Sequence, residues 1–188
     1  VSSLSWSHTA AGSDRFGDID ATLKPDTVVV SSAAWGTGNA ATFVARATMS
    51  DVTEMWRRIA PPASAQTISV ILSAQADEII AASRNYTDVH QTDPLGTPAT
   101  NTGNSTAPTV TVASASGELV IDTVGFDNDT VTAPGAGQTE RYDQAPFGMT
   151  ESGSDEAGAA SVVMSHTFTG AANDWQIVGV SIKPVAGG

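Results

Sequence analysis

Cysteine is absent from the 188 residues, which excludes a disulfide frame, a thiolate nucleophile and a cysteine-based zinc knuckle, and leaves redox compartment unmarked. Basic residues are scarce: eight Lys and Arg stand against twenty Asp and Glu, for a formal net charge of −12. Nucleic-acid affinity is built from Lys and Arg neutralising phosphates, so DNA and RNA partners are excluded, and an anionic membrane surface is disfavoured for the same reason. No apolar run approaches the roughly 18–20 residues that span a bilayer as a helix, which argues against membrane insertion. The chain opens on Val1 without Met or signal-peptide regions, which fits a segment processed or trimmed from something longer. Aromatics are few, 6% of the chain, so the position of each matters to any binding hypothesis.

What is present is alternation. Leu4, Trp6 and His8 interleave with serines, and Ile68, Val70 and Leu72 interleave with Thr67, Ser69 and Ile71. The same period marks Val110/Val112, Leu119/Ile121/Thr123, Val162/Met164/His166/Phe168 and Val178/Val180/Ile182. Successive side chains of a strand point to opposite faces, so a period of two gives one core face and one outer face. Clusters such as Gly36-Thr37-Gly38-Asn39, Ala60-Pro61-Pro62, Asp93-Pro94-Leu95-Gly96 and Ala133-Pro134-Gly135 punctuate these runs with turn chemistry. Ala76 to Arg84 contains good helix formers, but Asn85-Tyr86-Thr87-Asp88-Val89 continues it as a strand. The pattern predicts an all-β fold: a single antiparallel β-sandwich of jelly-roll type with long loops, occupying 1–188 as one domain. Segment 1–23 is expected to form an N-terminal arm or edge strand that can lie across a neighbour. Residues 92–108 read as a long surface connection, and 127–157, the most acidic and least regular part, as the largest loops. Self-similarity along the chain falls short of an internal repeat.

Four stretches carry a resemblance. They are Leu4-Ser5-Trp6-Ser7-His8-Thr9 with Gly12-Ser13-Asp14-Arg15; Glu54 to Ala63 leading into the Thr67–Ser73 run; Asp88 to Gly96; and Gly135 to Thr139, continuing through Ala157 to Val162 and on to Trp175–Pro184. In that order they resemble a jelly-roll-like β-sandwich module of phage virion proteins and bacterial extracellular or surface proteins. The resemblance spans nearly the whole chain and implies a non-catalytic surface or structural module. It also implies an apolar strand after the first motif, where Phe16-Gly17-Asp18-Ile19-Asp20-Ala21-Thr22-Leu23 carries two acids instead.

Candidate chemistry is sparse. Gly36-Thr37-Gly38-Asn39-Ala40-Ala41 matches a dinucleotide fingerprint, but that motif needs a helix to follow, and Thr42 to Ala47 reads as a strand; a hairpin turn is the expectation. His8, His90 and His166 have no metal-ligand spacing and read as ordinary strand or loop histidines. Ser152 and Ser154 lack a G-x-S-x-G elbow and a positioned base. Asn85, Asn104 and Asn128 open N-x-[ST] matches that chance explains in so Ser/Thr-rich a chain. No enzyme activity is expected. Two ligand alternatives remain. Trp35 and Tyr142, read as exposed aromatics, are candidates for a glycan-stacking platform. Asp127 and Asp129, with Asp18, Asp20 and Asp155-Glu156 in other loops, offer the oxygen ligands that calcium prefers, though no EF-hand order is present. The expected role is a structural or decoration subunit on a virion surface or extracellular assembly, with copies of itself or other structural proteins as partners and no required cofactor. A carbohydrate-binding or adhesive module, with calcium as stabiliser, is the alternative.

Overall fold

The computed structural model describes residues 1–127, 132–146 and 148–185. The period-two runs are strands: β1 (Ser3–Thr9), β2 (Phe16–Lys24), β3 (Val30–Trp35), β4 (Thr42–Thr48), β5 (Val52–Ile59), β6 (Ala65–Leu72) and β7 (Glu78–Tyr86) in the first half of the chain. The second half contributes β8 (Ala99–Ser105), β9 (Thr109–Ala113), β10 (Leu119–Phe126), β11 (Thr132–Pro134), β12 (Thr139–Gln144), β13 (Thr150–Ala157), β14 (Ser161–Phe168) and β15 (Asn173–Ile182). Every pairing between these strands is antiparallel. The fold is all-β, and the stretch from Ala76 to Arg84 belongs to a strand.

Among the described residues the strands form four sheets, and the arrangement is not one clear sandwich. The first half forms a sheet β1-β6-β3 and a sheet β4-β5-β2-β7; the second forms β9-β14-β11 and β12-β13-β10-β15, with β8 added beyond β15. Adding eight to each strand number of the first half reproduces the wiring of the second. The chain is thus duplicated in topology, a repeat that residue identities do not display because it resides in hydrogen-bonding order.

Burial explains the stacking. Ile19, Ala21 and Leu23 of β2 pack with Ile68 and Val70 of β6 and Trp35 of β3, closing the first half around one core. Val120, Val124 and Phe126 of β10 pack with Val112, Val162 and Met164, closing the second. A third cluster joins the halves: Phe16 and Met55 from the first meet Ile121, Val178, Val180 and Ile182 from the second. The two larger sheets therefore face one another across a seam, with a smaller sheet outside each. Strands β2, β10 and β15, central in the stack, are buried on both faces along most of their length.

Several expectations need relocating. Residues 1–23 provide an edge strand, β1, and an interior strand, β2, which pairs in register with both β5 and β7. Segment 127–157, expected as loops, contains β12 and β13, and β13 is buried from Thr150 to Asp155. Residues 92–108 include β8 and carry the chain from one half to the other. Gly36 to Asn39 forms the turn between β3 and a short bridge before β4, so no helix follows the glycine motif.

Candidate functional site

The chain's unusual chemistry is concentrated in the seam. Along β2 the even positions face the opposite half, which places Asp18, Asp20 and Thr22 between the sheets, each 0% exposed. From β7, Arg84 inserts between the acids: its Nε donates to Asp18 Oδ2 at 2.9 Å and its Nη2 to Asp18 Oδ2 and to Asp20 Oδ2, the latter at 2.9 Å. Its Nη1 reaches across the seam to the main-chain carbonyls of Asp122 at 2.9 Å and Ser154 at 3.3 Å. From β12, the Tyr142 hydroxyl lies 3.0 Å from Asp20 Oδ2, 3.0 Å from Glu151 Oε1 and 2.9 Å from Thr123 Oγ1. Glu151 Oε2 accepts the main-chain N–H of Thr22 at 3.0 Å, a further bond between halves.

Two glycines make room. A Cβ on Gly153 of β13 would lie 2.8 Å from Tyr142 Cζ and 2.9 Å from Arg84 Nη1, closer than packed atoms allow. Gly125 of β10 sits against Thr22 and Thr53 in the same way. The absent side chains let the inner sheets approach and the Tyr142 ring lie against the guanidinium, 5.4 Å from centroid to Cζ.

Three carboxyls share one guanidinium here, and their protonation follows from burial. Removal from water pushes Glu151 up to about 8, and raises Asp18 and Asp20 despite the opposing field of Arg84. Burial also raises the Tyr142 phenol. Burial opposes the charge on Arg84, but the fields of the Asp20 and Asp18 carboxylates outweigh it and keep the guanidinium cationic. Tyr142 has a single proton to give. A protonated Glu151 donating to Tyr142 frees the Tyr142 proton for Asp20 Oδ2, whereas Asp20 Oδ1 has no hydrogen-bond partner among the described residues.

Beside this lock the seam opens into a groove of two lobes. One, of about 450 Å³, is lined by Tyr86, Leu119, Arg141, Ile182 and Lys183; the other, of about 410 Å³, by Trp6, His8, Ser83, Tyr142 and Gln144. Arg84 and Arg141 line both lobes. Arg141 is held by Asp155 through Nε to Oδ2 and Nη2 to Oδ1, the latter at 2.9 Å. Ser83 accepts the Trp6 indole N–H at 2.8 Å and stands 2.8 Å from His8 Nδ1. Burial lowers the His8 pKa and favours the neutral ring.

The sequence-predicted residues fall as follows. Trp35 is not on a platform: it is 0% exposed, in the first core, edge-on to His8 at 4.7 Å. The turn glycines that suggested exposure lie after it, while the residue itself is the inward position of β3. Tyr142 is half-buried, its hydroxyl engaged in the lock and its ring against the groove. Trp6 of β1 is half-buried, packed against the first core and lining the groove. Asp127 is half-exposed and paired with Lys24 at 2.7 Å, while Asp129 lies outside the described residues. Asp18, Asp20 and Asp155 occupy strands, not loops. Ser154 is buried and donates to Asp122 Oδ1 at 2.8 Å; His166 Nε2 meets Asp122 Oδ2 at 2.8 Å. The serine bonds to the aspartate and not to the histidine, so the three are not arranged as a nucleophile and its base. Among the described residues, no three His, Cys, Asp or Glu side chains group so as to hold a metal ion.

The seam acids were missed because acids at alternate positions read as loop acids. The available signal was their spacing, Asp18 and Asp20 either side of Ile19, which puts both on one strand face. Comparison with known protein families, curated proteins and solved structures finds no match to this chain.

Proposed function

We propose that the chain is a non-catalytic structural module, a subunit or decoration of a virion or extracellular assembly, whose partners are its own copies or other structural proteins. The observation that carries this reading is the seam. Asp18, Asp20, Arg84, Tyr142 and Glu151 bond to one another between two sandwiches and hold them in fixed relation. A stack of four layers fixed in this way suits a load-bearing or spacing role, and a net charge of −12 keeps such modules dispersed until specific contacts form.

A second reading, saccharide binding in the groove, is favoured by one observation: both tyrosines of the chain and Trp6 line it, beside Arg141, Asn85 and Gln144. Aromatic rings with planar hydrogen-bonding groups around them suit a pyranose. The deciding experiment is negative-stain imaging of native material with a gold-labelled antibody to this chain. Regular placement on a particle or filament is the expected result. Recovery only as a free monomer overturns the structural reading and turns attention to a glycan array, where loss of signal in Trp6→Ala with unchanged melting locates the site in the groove.

A further inference from the structure

At one end of the seam, away from Arg84, two buried side chains carry oxygens that have no hydrogen-bond partner among the described residues. Asp51 follows the β4–β5 turn, closed by the Met49 N–H to Asp51 carbonyl bond at 3.0 Å. Its side chain is 0% exposed, and among the described residues neither carboxylate oxygen has a hydrogen-bond partner. Gln176 of β15, from the other half, is also 0% exposed; its amide nitrogen stands 3.5 Å from Ser50 Oγ, and its Oε1 has no partner. Among the described residues, the unpartnered buried oxygens thus belong to Asp51 and to Gln176, whose amide reaches the adjoining Ser50 at the exposed rim.

The surroundings are acidic. The charges that act on Asp51 are Asp127, Glu78 and Asp174 against the single cation Lys24, and Lys24 is already bonded to Asp127. Protonation does not resolve this arrangement, because a carboxylic acid buried without a hydrogen-bond acceptor is still unsatisfied. A hard cation does: it accepts carboxylate, amide and hydroxyl oxygens together, and calcium tolerates the irregular geometry that a turn and a strand provide.

We infer that Asp51 and Gln176, with the Ser50 hydroxyl, anchor a calcium site that bridges the two halves at this end of the seam, water filling the remaining positions. This goes beyond the structural reading and does not depend on it. One carboxylate at the anchor, where three or four are usual in tight sites, places the site in the weak range of extracellular modules, about 10⁻⁴–10⁻³ M.

The test is thermal unfolding of the full chain, stripped with EDTA and then given about 10 mM calcium, magnesium, or sodium chloride at matched ionic strength. The expected result is a calcium-dependent rise in Tm of about 3–10 °C, smaller with magnesium and absent with sodium. Asp51→Asn should abolish the increment and Gln176→Met reduce it, each compared with its own EDTA baseline. An unchanged wild-type Tm overturns the site, even if a variant fails to fold. An equal calcium increment in Asp51→Asn also overturns it, since that result assigns the effect to general screening of an acidic surface.

Discussion

A carboxyl group sealed between two sheets holds its proton to higher pH than one in water, since burial penalises the charged form. Glu151 is the clearest case: its pKa rises from 4.5 to about 8 on folding. Between those values the folded state binds a proton that the unfolded chain releases, so its contribution to stability falls as pH rises through that window and is level beyond it. Asp18 and Asp20 are raised in the same sense, and Asp51, at about 6, adds to the slope below neutrality. The protein should therefore melt at higher temperature near pH 5 than near pH 8.5. Glu151→Gln, whose amide can donate to Tyr142 and accept from Thr22, should flatten that slope by on the order of 4 kcal/mol. Melting curves of both proteins across this range check the sign; a wild-type Tm that climbs with pH would show that these carboxyls are already ionised in the fold.

Strands with one wet face were legible as strands because their alternation is of apolar against Ser or Thr, as in β1, β6 and β14. The exceptions are β2 and β13. Their polar residues face the seam and their small or apolar ones face a core, so the usual meaning of the period fails, and acids on a dry face look like acids on a loop. Residues Trp35 and Tyr142 show the same limit: neighbouring Gly or charged residues say nothing about which face of a strand a ring occupies. Irregularities also have a pattern invisible in the sequence. The bulges at Val30/Ser32, Phe43/Ala45 and Glu140/Tyr142 all fall on edge strands, β3, β4 and β12, where they discourage unwanted strand pairing. Edge strand β1 pairs without such a bulge, as do the edge strands β7, β8 and β9, so β1 is one of several edges open to a neighbour. That separates two deletions. Removing 1–23 takes away β2, hydrogen-bonded on both sides, and should abolish folding, seen as loss of the β signal in far-UV circular dichroism. Removing only the residues through Thr9 leaves β2 in place and tests assembly through β1 alone; a folded product from the longer deletion would contradict the interior placement of β2.

Each half has its own core, yet neither half's larger sheet can face water without exposing Phe16, Met55, Ile121, Val178 and Val180 together. The duplication in wiring produces two similar sandwiches, and the seam makes them one unit through apolar contact and a buried ionic lock. Apolar burial supplies adhesion without direction, whereas Arg84, with carbonyl and carboxylate partners from both halves, specifies how the sheets are placed. Removing it should have a cost that depends on pH. Arg84→Met keeps volume but leaves Asp18 and Asp20 without their cation, a change that typically costs about 3–5 kcal/mol for a buried pair. Near pH 5 the raised carboxyls can take up protons and soften the loss, while near pH 8.5 more of them must ionise unpaired. The expected calorimetric result is one cooperative transition for the wild type, and for Arg84→Met a Tm deficit that is larger at the higher pH. If the deficit is the same at both pH values, Arg84 acts there as packing volume and not as the counter-charge that joins the halves.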